Sequence, residues 1–321
     1  MRTGVIPGIA WLASLALAVA CERDSNPVAG KLEAMSFANS EWSEPVNLGA
    51  PVNSAANEMN AALSPDELSL YFISTRAGGQ GGADIWVARR ASLDGPWGEP
   101  VDLGSNINGP GLDAAPAVSI DGHLLFFSSD RAGGQGSNDI YVARRADKSD
   151  DLGWGPAVNL GPDVNTAGFE AGGFYLQSAE DGAANLYFSR GPSMVALDIY
   201  VVSVTADGDA RGPAVAVAEL NDPDPAITQA HPSVRVDGRE IFLHSNRAGG
   251  LGGNDLWTST RRSVHEPWSP PVNLGAPLNT AAGENQPSLS YDGRTLIFSS
   301  TRAGGLGGSD IWMSTRAPSG H

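Results

Sequence analysis

The chain repeats one pattern of apolar and polar positions. An apolar run follows an Asp-containing turn in SPDELSLYFIS, SIDGHLLFFSS, RVDGREIFLHS and SYDGRTLIFSS. A glycine-rich phrase comes next: STRAGGQGGAD, SDRAGGQGSND, SNRAGGLGGND and STRAGGLGGSD, with arginines at Arg76, Arg131, Arg247 and Arg302. A second apolar run then opens at Asp84-Ile85-Trp86, Asp139-Ile140-Tyr141, Asp198-Ile199-Tyr200, Asp255-Leu256-Trp257 and Asp310-Ile311-Trp312. These aspartates are spaced 55, 59, 57 and 55 residues apart. Short apolar runs rich in β-branched and aromatic residues, bounded by Gly and Asp turns, predict strands. In the first unit, strand A includes 60–63 and strand B 68–74. The glycine phrase is the B–C hairpin, strand C is 84–89 and strand D is 100–103. Four strands per repeat of this length make a propeller blade.

The ends of the pattern predict closure. The last unit stops after strand C, at Thr315-Arg316, and a spare strand D precedes the first unit at 41–48 (EWSEPVNL). An open array would need polar capping units, and none is visible. The expected fold is therefore all-β: a single five-bladed β-propeller over 41–318, with four-stranded blades, the last closed by the N-terminal strand. Pro65-Asp66, the Ser-x-Arg and the Asp-Ile-Trp resemble the Pro-Asp, WD-repeat-like propeller repeats of TolB type. The GGxGGxDIW form is similar to propellers of envelope proteins that also carry OmpA-like peptidoglycan-binding domains. The resemblance spans about 41–318 and implies the fold. TolB itself has six blades and an extra domain, which this chain does not match, and no residue present implies peptidoglycan anchoring.

The first residues have a different character. Arg2 precedes an apolar stretch, 6–20, that ends on Ala18-Val19-Ala20 and meets Cys21, the single cysteine. A charged start, a short apolar core and small residues at the cut predict a signal peptide over 1–20. Ala-Val-Ala-Cys resembles the lipobox of bacterial lipoproteins, with Ala18 where leucine is usual. The resemblance implies lipidation of Cys21, with 21–40 as lipidated residue and flexible tether. Each buried CH₂ of an acyl chain contributes about 0.8 kcal/mol, so two or three chains anchor firmly. Glu22 is not the aspartate that retains lipoproteins at the inner membrane, which favours an outer-membrane lipoprotein on the periplasmic or surface side.

Charge and cysteine content narrow the partners. Lys+Arg is 20 against Asp+Glu 36, a formal net charge of -16. Such a surface repels phosphate backbones, which excludes nucleic acid. One cysteine allows neither an internal disulfide nor a thiolate metal cluster.

Three groups of residues are candidates for function. Glu58, Asp113, Glu170 and Glu284 each follow an asparagine (Asn53, Asn108, Asn165 and Asn279) by five residues, and Gln229 takes the acidic place in the fourth unit. On strand A they could form an acidic ring at the channel mouth; the alternative is that each pairs with a blade arginine. The third unit lacks the RAGG phrase and the tryptophan found as Trp42, Trp97, Trp154 and Trp268. It carries Phe174, Tyr175, Met194 and Val195, candidates for a partner-binding surface, because broken local rules mark functional sites. The glycine loop resembles a calcium repeat, but its register is wrong for a calcium ladder, so calcium has weak support and no cofactor or metal site is expected. The histidines fall in different units, no Gly-x-Ser-x-Gly occurs, and Ser290-Tyr291-Asp292-Gly293-Arg294-Thr295-Leu296 only approaches a sialidase-type Asp box. The expectation is a non-catalytic scaffolding propeller that binds an envelope protein and touches membrane through its anchor alone. The alternatives are a glycan-binding lectin, with like pockets in several blades, and a glycoside hydrolase. The last needs a non-repeated carboxylate pair within about 10 Å.

Overall fold

The computed structural model describes residues 1, 37, 40–178 and 181–318. Cys21, the leader and most of the tether therefore lie outside the described residues. Twenty strands form five four-stranded antiparallel sheets. The spare segment contributes β1 (Val46–Asn47). The first blade is β2 (Glu58–Leu63), β3 (Ser69–Ser74), β4 (Asp84–Arg89) and β5 (Val101–Asp102). The second is β6 (Asp113–Val118), β7 (Leu124–Ser129), β8 (Asp139–Arg144) and β9 (Val158–Asn159). The third is β10 (Phe169–Gln177), β11 (Ala184–Ser193), β12 (Ala196–Ser203) and β13 (Val215–Ala216). The fourth is β14 (Gln229–Val234), β15 (Glu240–Ser245), β16 (Asp255–Thr260) and β17 (Val272–Asn273). The fifth is β18 (Glu284–Leu289), β19 (Thr295–Ser300) and β20 (Asp310–Thr315), completed by β1. Val46 pairs with Met313 and Asn47 with Trp312, so the ring closes as the end pattern predicts. The outer strands are two residues long where four were expected. Short, valine-bearing edges leave few unpaired backbone groups for another chain to pair with.

Strands β3, β7 and β15 are buried along their whole length, so they read as continuous apolar runs rather than alternating ones. Each sheet is packed on both faces, and the core is divided among the five blade junctions. Tyr71, Ile85, Leu125, Phe127 and Trp154 fill the junction of blades 1 and 2. Phe242, Leu256, Leu296, Phe298 and Trp312 fill that of blades 4 and 5.

Polar staples lock neighbouring blades. Asn108 accepts from Ile85 N and donates to Ile85 O, both at 2.9 Å. Asn53, Asn165, Asn221 and Asn279 do the same to Ile311, Ile140, Ile199 and Leu256. In the hairpin, Asp84 accepts from Gly81 N at 3.1 Å. A Cβ on Gly79 would lie 2.0 Å from Asp84 Oδ2, so this close approach admits no side chain. Each hairpin arginine reaches back to a loop carbonyl: Arg76 Nη2 donates to Val52 O at 2.5 Å and Arg247 Nη2 to Leu220 O at 2.7 Å. The glycine phrase is a pinned structural turn.

Candidate functional site

The four carboxylates expected at the channel mouth begin strands β2, β6, β10 and β18, and each is held inside its own blade. Glu58 accepts from Ser54 N and Oγ and from Ser74 Oγ at 2.7–2.8 Å, and pairs with Arg76 at 3.2 Å. Asp113 pairs with Arg131 at 2.6 Å, Glu170 with Arg190 at 3.3 Å and Glu284 with Arg302 at 3.2 Å. All four are buried, so each carboxylate is spent on its own blade arginine rather than open to a ligand. Burial pushes Glu170 above the usual carboxylate range despite its bonds to Thr166 and the Arg190 charge. Among the described residues, no three His, Cys, Asp or Glu side chains gather as a metal site.

The third-blade residues separate in the same way. Tyr175 is buried and stacks on Phe126 with ring centroids 5.6 Å apart, and Phe174 lines the axial channel. Met194 and Val195 sit at the tip of the β11–β12 hairpin and are 61% and 69% exposed. Phe169, at the opposite end of β10 from Tyr175, pairs beside that tip, so the four residues do not form one surface.

The axis is lined by residues that the blade pattern hides. Every innermost strand has an irregularity, and its inward residue takes a left-handed backbone: Asn60, Ala115, Gly172, His231 and Gln286. Neighbouring blades fix three of them. Asn60 N donates to Ser299 Oγ, His231 N to Ser189 Oγ and Gln286 N to His244 Nδ1, at 3.2, 2.9 and 3.1 Å. The His231 and His244 rings stack at 5.2 Å. A Cβ on Gly172 would lie 2.8 Å from His231 Cδ2, so glycine opposite the imidazole makes its room. Burial pushes His231 down to about 4. Gln286 Oε1 and His231 Nδ1 are buried without partners among the described residues. The axial cavity is about 50 Å³. That is room for a water or two, each about 30 Å³ in the liquid, and not for a sugar. No carboxylate appears among its described lining residues.

Larger spaces lie in the clefts between blades, beside arginines that follow strand C and stack on aromatic rings. Arg145 lies 4.3 Å over Trp154, Arg261 4.1 Å over Trp268, and Arg316 4.6 Å over Trp42. The cleft between blades 1 and 2 encloses about 320 Å³, that between blades 3 and 4 about 220 Å³, and that between blades 4 and 5 about 570 Å³. Each has carboxylates on its walls: Asp66, Asp121 and Asp151 in the first, Glu219 and Glu266 in the second, Glu41 and Glu240 in the third. Two of the three fall within the size range of small-molecule sites.

A fifth feature involves the A–B turns of blades 1 and 5. Glu67 is pushed up to about 7, first by burial and then by the charge of Asp292, with Arg90 opposing. Its turn repeats in every blade, but glutamate follows the turn aspartate in the first blade, where glycine does so in SIDG, RVDG and SYDG. That departure is the one signal of Glu67 in the chain's repeat pattern.

No family model and no curated protein matches the chain. Solved structures do. An α-L-arabinofuranosidase from Lactobacillus brevis is 12% identical with a TM-score of 0.58, covering 83% of this chain and 92% of that one. A GH43_1 enzyme from Xanthomonas citri is 17% identical, TM-score 0.55, covering 91% and 94%. An α-L-arabinofuranosidase from Podospora anserina in complex with cellotriose is 12% identical, TM-score 0.54, covering 87% and 98%. Two expectations are corrected by these neighbours. The TolB-type assignment gives way, because the architecture matched over 83–91% of the chain is that of five-bladed glycoside hydrolases. The expectation that the chain is not an enzyme gives way too, since the same five-bladed ring carries hydrolases. What the chain shares with them at this identity is the fold.

Proposed function

We propose that this propeller engages carbohydrate in the clefts between its blades. The observation that carries the reading is the repetition of one arrangement at three junctions: a space of about 220–570 Å³, an arginine fixed on an aromatic ring, and carboxylates on the walls. Carboxylates and guanidinium groups are the acceptors and donors that sugar hydroxyls need. The hydrolase neighbours support carbohydrate as the ligand class. Glycoside hydrolysis is a second reading, favoured by Glu67 and Asp292. An acid poised near 7 beside another carboxylate can donate a proton at neutral pH, which glycosidic cleavage requires. The lipid anchor at Cys21 and a place in the cell envelope belong to the same proposal.

The test is calorimetric titration of the purified protein with arabino- and xylo-oligosaccharides, with reducing-sugar release followed in parallel. Saturable binding supports carbohydrate engagement, and its absence up to millimolar ligand rejects it. Release of reducing ends that Glu67→Gln abolishes, with binding kept, supports hydrolysis. Binding without release leaves the lectin form of the reading.

A further inference from the structure

We propose that the cleft between blades 1 and 2 is a subsite for an acidic sugar, one carrying a carboxylate such as a uronic acid; this deepens the carbohydrate reading and rests on it. The cleft is lined by charges of both signs. The A–B turns supply Asp66 and Asp121, while the end of strand β4 and the loop after β8 supply Arg89, Arg90, Arg145, Lys148 and Asp151.

Much of that charge is already committed. Asp151 is buried and accepts from Ser69 Oγ and Tyr71 Oη at 2.5 Å, Arg89 Nε at 2.6 Å and Arg145 Nη1 at 2.8 Å. It is thereby an internal counter-ion. Arg90 donates to Glu67 O at 2.8 Å and Leu93 O at 2.6 Å, and its Nη2 lies 3.9 Å from the Glu67 carboxylate. Two cationic groups keep unspent capacity. Arg89 is 53% exposed at its side chain and uses Nε for Asp151 and Nη2 for Ser149 O. Lys148, the one lysine among the described residues, is exposed. Its stem lies along the turn backbone, where a Cβ on Gly122 would meet Lys148 Cβ at 3.1 Å.

Each aspartate of the A–B turns is held by one oxygen. Asp66 Oδ1 accepts from Ser64 Oγ and Leu68 N, and Asp121 Oδ1 from Ser119 Oγ and His123 N. Their Oδ2 atoms make no hydrogen bond among the described residues. A hexuronate presents its carboxylate at one edge of the ring and a vicinal diol at the opposite edge. The cation pair suits the first and the aspartate oxygens suit the second. The cleft volume of about 320 Å³ is in the range of sites that enclose such a ligand. This is a local exception on a chain whose formal net charge is -16.

The experiment is calorimetry on the purified protein with an oligouronate, its neutral methyl ester and a sulfated neutral oligosaccharide, repeated with Lys148→Gln and Lys148→Arg. The expected result is that the uronate binds at least about tenfold more tightly than the ester. Lys148→Gln removes that difference without weakening the ester, Lys148→Arg keeps it, and added salt lowers uronate affinity, as screening of an ion pair requires. Equal binding of acid and ester, or a preference that Lys148→Gln leaves intact, overturns the subsite while carbohydrate binding stands. A sulfated sugar that binds as tightly as the uronate overturns the carboxylate assignment. No binding by any of the three rejects both readings.

Discussion

Lowering the pH from neutral to about 5 should destabilise the ring through His231. The imidazole lies on the axis against Gly172 and His244, and burial holds it down to about 4, from 6.5. The unfolded chain takes up a proton below about 6.5 that the folded ring refuses. Stability is therefore complete above about pH 6.5 and declines as the pH falls towards the folded value. For this one group the loss is about 2 kcal/mol at pH 5 and levels off near 3 kcal/mol below pH 4. His244 also resists charging, through burial and the neighbouring His231, so the stacked pair admits a second proton less readily than the first. The assay is urea unfolding followed by tryptophan fluorescence between pH 8 and 4.5, comparing the natural chain with His231→Asn. Carboxylates titrate in both proteins, so the difference in their pH dependence isolates the histidine. Parallel curves between pH 6.5 and 5 would refute the reasoning.

Three further outcomes test the architecture. Arg316 is buried and pairs with both oxygens of Glu240, at 2.8 and 2.7 Å. Arg316→Ala should cost about 1.5–3 kcal/mol in denaturant unfolding, since Arg235 Nη1, at 3.2 Å, stays as a partner of the Glu240 carboxylate, and Glu240→Gln on that background should recover part of it. Gly172→Ala should destabilise by about 1–3 kcal/mol, since its Cβ meets His231 at 2.8 Å and its φ is 65°. A loss below about 0.5 kcal/mol would show that the axis has slack. Deleting 41–48 removes β1 and exposes the edge of β20. Light scattering should then report association, and the thermal transition should broaden; a monomer with an unchanged melt would contradict strand-based closure.

The blade repeat, the five-fold count and the closure by 41–48 were legible in the chain itself. A strand buried on both faces must be an apolar run, and a hairpin whose Asp84 captures loop amides needs Gly79 beside it. These are local rules, and they recur at every blade. Strand C was placed at 84–89, where β4 lies, because its opening aspartate marks the turn.

The sites follow another logic. Ser69 and Asp151 are 82 residues apart and Glu240 and Arg316 are 76 apart, yet each pair meets across a blade junction. No hydropathy period encodes such partners. The recurrence of Glu58, Asp113, Glu170 and Glu284 was visible, but only the tertiary structure decided that each turns to its own arginine. Tyr175 looked available in a degenerate blade until packing set it on Phe126. Asn221, eight residues before Gln229 rather than five, escaped the spacing rule and still staples its blade. The sequence by itself determined the repeating backbone, because strands and turns answer to neighbours a few residues away. The tertiary structure decided which polar groups are spent on holding the ring and which face a cleft, because ring closure alone brings residues from different blades within hydrogen-bonding distance.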